Sequence, residues 1–308
     1  MAITLTQLRS FLAVVHTGSV TGAADQLVVT QPSVSAAVSA LSAEVGIALT
    51  ERDGRSVRLT PAGQAFAPYA ADVVGLLEQG SLAAREAADA ATREVRIAAV
   101  TTAAEHIVPP LLEAFSERHP DVAVSLDVGN RERVFERLRS HRSDLAFGGR
   151  PPREGIEGER FQDNPVAIIA APSDPLAGRT SVPIAALEGR PWLLREEGSG
   201  TRTMTEEFLS INGLDPAVLT LGSNGAIKQG ARAGLGLALQ SRLATELELE
   251  LGLLVTLDVA ITLPERHWYL LRARRGPMRP PVEQFLAFVR SAEGHAAIDR
   301  ARLPASRA

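Results

Sequence analysis

None of the 308 residues is cysteine, which excludes disulfides, thiol catalysis and Cys-ligated metals together. Lysine is nearly absent as well: Lys228 is the single one, and arginine supplies the other cations. A GC-rich genome produces the same bias, so it carries no functional reading. No apolar run approaches the roughly 20 residues that span a bilayer, and no membrane partner is expected. The opening Met-Ala-Ile-Thr-Leu-Thr-Gln lacks a basic n-region and a cleavage signal. A cytoplasmic location is therefore the expectation. Excess positive charge is also missing, since 32 Lys and Arg stand against 36 Asp and Glu for a net charge of −4. Any nucleic-acid binding must then rest on local positive charge.

Catalytic motifs are lacking too. His16, His106, His119, His141, His267 and His295 show no H-E-x-x-H spacing, and no G-x-S-x-G elbow occurs. Gly198-Ser-Gly200 departs from the dinucleotide fingerprint because Thr203 replaces its third glycine, and Lys228 lacks the P-loop glycines. The sequence thus implies no catalytic residue, no metal site, no cofactor and no enzyme.

What is present is ordinary globular composition, 45% hydrophobic and 22% charged, at a length that fits two or three domains. Leu5, Leu8, Leu12 and Val15 predict an amphipathic helix that Gly18 ends. Ser19 can cap a second helix over 20–27 and Thr30 a third, with Pro32 in its first turn. In that third helix Val34, Val38, Leu41 and Val45 form one narrow stripe before Gly46. Spacing alone fits a helix-turn-helix and any small three-helix bundle equally well. The opposite face, Pro32, Ser33, Ala36, Ser39 and Ala40, is small and neutral where a solvated face carries Glu and Lys. It suits close approach to a DNA groove. Asp53-Gly54 then signals a hairpin carrying Arg52, Arg55 and Arg58, a basic wing if the preceding helices read DNA.

Thr30-Gln-Pro-Ser-Val-Ser35, Gly46 to Arg52 and Leu59-Thr-Pro-Ala-Gly63 resemble the LysR-type transcriptional regulators at that family's positions. The resemblance spans the chain and is strongest over 3–66. It implies that Gln31, Pro32, Ser33, Ser35 and Ser39 face the major groove of promoter DNA, with Arg52, Arg55 and Arg58 at the backbone. The family often carries Arg at Ala36, Glu at Ser42 and Phe at Thr50. Residues 1–60 pair Arg9, Arg52, Arg55 and Arg58 against Asp25, Glu44, Glu51 and Asp53. Phosphate attraction is therefore expected to be modest per protomer, with reliance on a homodimer or homotetramer.

Thr60-Pro61 opens a further helix in which Phe66, Ala70, Val73, Leu77, Gly80, Ala84 and Ala87 alternate at four and three, a seam suited to dimerisation or to packing on its own domain. Beyond it strand and helix patterns alternate. Strands are expected at 95–100, 122–128, 144–147, 166–171, 192–194, 219–221, 235–239 and 268–272. Helices are expected at 105–118, 131–140, 201–211, 224–233 and 281–292. The fold class is α/β: an N-terminal all-α winged helix-turn-helix (1–60), a linker helix (61–90) and a two-subdomain, periplasmic-binding-protein-like effector domain (91–308). Subdomain I takes 91–162 plus 266–295, and subdomain II takes 163–265.

Ligands of such domains bind near strand ends and helix N-termini. Thr101 and Thr102 follow the first strand, and Gly198-Ser-Gly-Thr-Arg202 precedes a helix. Glycines admit backbone, the helix dipole favours an anion, and Arg202 adds a fork. Plain helix capping explains these residues nearly as well. Glu196 to Arg202, Ser223 to Gln229 and His267-Trp-Tyr-Leu look most like the regulators of Calvin-cycle (RuBisCO) operons, with Gly225 a departure. That likeness implies an anionic metabolite as effector, touched by Thr101, Thr102, Gly198, Ser199, Gly200, Thr201, Arg202 and Asn224. A solute-binding protein or an α/β enzyme with a helical appendage are the competing readings.

Overall fold

The computed structural model describes residues 2–53, 56–89 and 93–300. Arg55 and the expected 90/91 domain boundary lie outside the described residues. The chain divides into two compact units. One comprises Met1–Ala90, Arg139–Arg142 and Arg275–Pro277, and the other holds Ala91–Leu138, Ser143–Arg274 and Met278–Ala308.

In the first unit, α1 (Leu5–Thr17) starts on a reciprocal cap. The Gln7 N–H donates to the Thr4 hydroxyl while the Thr4 N–H donates to the Gln7 side chain. The Ser19 hydroxyl accepts from the Gly22 N–H and opens α2 (Val20–Leu27). Thr30 precedes α3 (Gln31–Val45), but its hydroxyl bonds the Ser33 hydroxyl at 2.8 Å rather than capping a backbone N–H. Leu8, Phe11, Val14, Ala23, Ala24, Val34, Val38 and Leu41 close the core between these helices. A hairpin of β1 (Thr50–Asp53) and β2 (Ser56–Leu59) pairs Arg52 opposite Val57. The Val57 N–H donates to the Gly18 carbonyl at 3.1 Å and seats the hairpin on the α1–α2 turn.

Next, α4 (Pro61–Ala88) opens with Thr60 as cap and proline in its first turn. A Cβ at Gly63 would lie 1.9 Å from the Leu49 carbonyl oxygen, so only glycine allows this helix to sit so close. The expected seam needs correcting here. Ala70 is buried and Phe66 stacks edge-on against Phe11 at 5.7 Å, so both belong to the core. The large apolar residues that α4 exposes are Tyr69, Val73 and Leu77, at 58%, 54% and 53%, and the expected Gly80, Ala84 and Ala87 are exposed as well.

The second unit runs β3 (Glu94–Val100), α5 (Thr101–His106), α6 (Val108–Arg118), β4 (Ala123–Gly129), α7 (Arg131–Arg139), β5 (Leu145–Gly148), β6 (Ile156–Asp163) and β7 (Val166–Ala170). It continues through β8 (Trp192–Leu194), α8 (Gly200–Ile211), β9 (Val218–Thr220), α9 (Asn224–Arg232), β10 (Ala238–Ser241), α10 (Arg242–Glu250) and β11 (Val255–Leu257). Last come β12 (His267–Ala273), α11 (Pro280–Arg290) and α12 (Ala292–Arg300). Its first half is a five-stranded sheet ordered β4–β3–β5–β12–β6. Strand β3 runs parallel to β4 and β5, and β12 returns antiparallel between β5 and β6. Side chains alternate across β3, so Ile97 and Ala99 pack with Phe115 and Phe285 while Ala98 packs with Phe135 and Leu138. Helices therefore cover both faces. The second half joins the antiparallel β10–β7–β11 to the parallel pair β8–β9, with Trp192 buried against Phe208.

Some elements differ from expectation for identifiable reasons. The helix expected over 105–118 is two, broken at Ile107, because Pro109 and Pro110 cannot continue a helix from upstream but fit the first turn of a new one. Strand β6 carries Glu157, Glu159 and Arg160 and lies at the sheet edge with one face in water, so its hydrophobic signal is faint.

Candidate functional site

Two surfaces carry the chemistry. On α3, Gln31, Pro32, Ser33, Ser35 and Ser39 are all exposed, opposite the buried Val34, Val38 and Leu41. The hairpin adds Arg52 and Arg58, both exposed. Arg58 is ion-paired with Glu51 at 2.8 Å across the ladder, which offsets part of its charge.

The second surface is a cavity of about 360 Å³ between the halves of the second unit. Strand carboxyl ends converge on it. Thr101 and Thr102 follow β3, Asn130 and Arg131 follow β4, Gly149 and Arg150 follow β5, and Arg195 follows β8. Because β12 is antiparallel, its start lies at the same end of the sheet and adds Arg266 and His267. The N-terminus of α8 closes the ring with Ser199, Gly200 and Thr201. Donors from both halves meet because the cleft is bridged. Asn224 Nδ2 donates to Thr102 Oγ1 at 2.9 Å, Arg266 Nη1 to Thr201 Oγ1 at 3.2 Å, and Asn130 Nδ2 to the Glu197 carbonyl at 3.2 Å.

Charge is unevenly compensated in this cavity. Arg195 forks onto Glu196 at 2.7 and 2.9 Å. Among the described residues Arg266 has no carboxylate partner. Burial, together with the neighbouring guanidiniums of Arg131 and Arg195, pushes it down to about 10. A guanidinium so placed favours any anion that enters.

Of the residues the sequence pointed to, Thr101, Thr102, Ser199, Gly200 and Thr201 line the cavity, while Gly198, Arg202 and Asn224 do not. Gly198 has φ +77°, and a Cβ there would lie 2.6 Å from Glu132 Oε2, so it serves close approach of the two halves. Arg202 turns to Glu206 at 2.7 Å and to the Arg195 carbonyl at 3.2 Å. Asn224 is buried between Thr102 and Arg195 and holds the wall instead of facing the ligand space. Arg131, Arg150, Arg195 and Arg266 were missed. Three of them directly follow a strand or its first loop residue, which is the position where such folds bind ligands.

A winged helix-turn-helix joined in one chain to a two-lobed unit with an arginine-lined cleft defines a ligand-responsive DNA-binding regulator. Residues 5–64 match the family described as "Bacterial regulatory helix-turn-helix protein, lysR family", and residues 88–294 match the "LysR substrate binding domain". The chain belongs to the LysR family of bacterial transcriptional regulators. It is similar to the RuBisCO operon transcriptional regulator of Allochromatium vinosum, 39% identical over 293 residues that cover 94% of this chain and 97% of that protein. The transcriptional activator CmpR of Synechocystis is 35% identical over 93% of this chain and 94% of its own length. These relatives are named as regulators, not enzymes. Among solved structures, the regulatory domain of Synechocystis CcmR, in complex with 2-PG, gives a TM-score of 0.61 at 33% identity over 64% of this chain and 95% of that domain. The LysR-family regulator CbnR shares the fold over 93% of this chain and 100% of its own, with a TM-score of 0.53 at 23% identity. No helix among the described residues is long and apolar enough to cross a membrane.

Proposed function

We propose that this regulator holds a small, multiply charged anion, a phosphomonoester foremost, in the arginine-lined cleft and changes its promoter contacts in response. The observation that carries this reading is Arg266, half-buried beside two further guanidiniums and, among the described residues, without a carboxylate partner. Thr101, Thr102, Ser199 and Thr201 add hydroxyls, and the α8 N-terminus adds backbone N–H groups. The structure of the CcmR regulatory domain in complex with 2-PG supports the same class of ligand. In this reading Gln31, Pro32, Ser33, Ser35 and Ser39 enter the major groove, while Arg52, Arg55 and Arg58 hold the phosphate backbone. Dimers form through the exposed Tyr69, Val73 and Leu77 of α4 and pair into tetramers on promoter DNA in the cytoplasm. The domain limits of this reading are 1–60, 61–90 and 91–308. Thermal unfolding with 2-phosphoglycolate, inorganic phosphate and an uncharged triose tests the effector. A ligand that binds only the native state raises stability by RT ln(1 + [L]/Kd). Equal shifts with the uncharged sugar would refute the anion site.

A further inference from the structure

The outward face of α3 is unusual for a DNA-reading helix because its middle is apolar. At 100° per residue, Val34, Val38 and Leu41 mark the buried side, and the directions opposite them fall on Pro32, Ala36, Ser39 and Ala43. All four are exposed. Ser35 borders this stripe on one side, Gln31 stands exposed at the first position of the helix, and the Ser33 hydroxyl is already engaged by Thr30 at 2.8 Å. The turn leading into α3 continues the apolar character, with Val28 exposed by 90% and Val29 by 48%. Val28 holds φ +56°, a left-handed conformation that disfavours a β-branched residue and that glycine would adopt freely. Neither burial nor backbone preference explains a valine there.

Arginine and lysine are absent from α3, and with them the usual fork onto guanine. The major-groove feature that an apolar side chain recognises is the thymine C5-methyl group. We propose that α3 and its preceding turn select their half-site by packing Val28, Val29 and Ala36 against thymine methyls, with Gln31 left to pair with adenine. The proposal rests on α3 being the DNA-reading helix, as its family membership implies, and commits this face to duplex DNA instead of a second copy of the chain.

The test uses the full-length protein and a half-site enriched from a random duplex pool. Each thymine of the enriched site is replaced singly by uracil, which removes the methyl and nothing else, and affinity is read by fluorescence anisotropy. At the contacted thymines uracil should weaken binding by about fourfold, the effect of one buried methyl. In A36G, or in the double variant V28A/V29A, the thymine-to-uracil ratio at one of those positions should fall to about one. Each variant is its own reference, so any loss of folded protein cancels. A ratio of one at every thymine in the wild type, or an unchanged ratio in both variants, overturns methyl reading while leaving α3 as the DNA-binding helix. Failure to enrich any sequence overturns both. A shift to smaller species in sedimentation, with the ratio unaltered, would make this face an interface between copies and overturn the proposal.

Discussion

A guanidinium gives up its charge more reluctantly than any other side chain, yet burial and the neighbouring Arg131 and Arg195 push Arg266 down to about 10. The folded value lies below that of a free arginine. Between about pH 10 and the unfolded value the native chain therefore binds fewer protons than the unfolded one, and stability from this group rises with pH in that window. At neutral pH the charged group is a net destabilisation. Replacing it by methionine, of similar length and uncharged, should raise the melting temperature of the ligand-free protein by about 2–4 °C, on the order of 1 kcal/mol. The same variant should lose stabilisation by phosphate or 2-phosphoglycolate. Differential scanning fluorimetry reads both, and a lower melting temperature with an intact anion response would remove Arg266 from the site. Arg202 gives the contrast. It is tied to Glu206 and to the Arg195 carbonyl, so Arg202→Ala should leave anion affinity within about threefold by calorimetry, as expected for a partly exposed pair. Arg131→Ala should lower affinity tenfold or more, the worth of one charge-assisted bond at about 1.5 kcal/mol.

At the scale of elements, what was legible in the sequence is what is local. Caps and stops act within one turn, so Gly18, Ser19, Pro32, Gly46 and Pro61 place ends of the first four helices from spacing alone, while the Thr4 cap of α1 shows only in the structure. Helix α10 escaped because Leu247, Leu249 and Leu251 alternate with glutamates at period two, which conveys no helix. The arginine-lined cleft escaped further. Arg131, Arg150 and Arg266 lie far apart in sequence and meet only where antiparallel β12 brings its start beside the ends of β3, β4 and β5. The seam of α4 was half legible. Its period was clear, but which stripe faced outward depended on Phe66 and Ala70 being claimed by the helix-turn-helix core. Leu77, exposed by 53%, then tests the interface. Leu77→Asp sits in water in a monomer and costs little there, whereas across a helix pair it buries an unpaired charge. Sedimentation should show smaller species and operator affinity should fall, with the melting curve of the monomer unchanged. A dimer as tight as wild type would place the contact on another face of α4.

For the whole molecule, the question is whether the cleft and the reading head exchange free energy. An effector that alters operator affinity must have its own affinity altered by operator to the same factor, because coupling between binding sites is reciprocal. Typical couplings run about 5–150-fold. The cleft is suited to this, since its walls come from both halves of the second unit and are joined by Asn224–Thr102 and Arg266–Thr201. An anion that bonds Arg266 competes for the guanidinium that also holds Thr201, so binding redistributes bonds between the halves even without a large movement. Thr102→Val removes the hydroxyl that accepts from Asn224 while keeping the side-chain volume. It should therefore reduce the coupling more than it reduces anion affinity, and Arg266→Met should abolish both. The measurement is a pair of anion titrations, one with free protein and one with protein saturated by operator, repeated for wild type and both variants. In wild type the two titrations should differ by the same factor that the anion imposes on operator affinity in a footprint. In Thr102→Val they should converge while effector-free operator binding stays intact. If the two wild-type titrations coincide while the footprint still changes, the effector acts at a site other than this cleft.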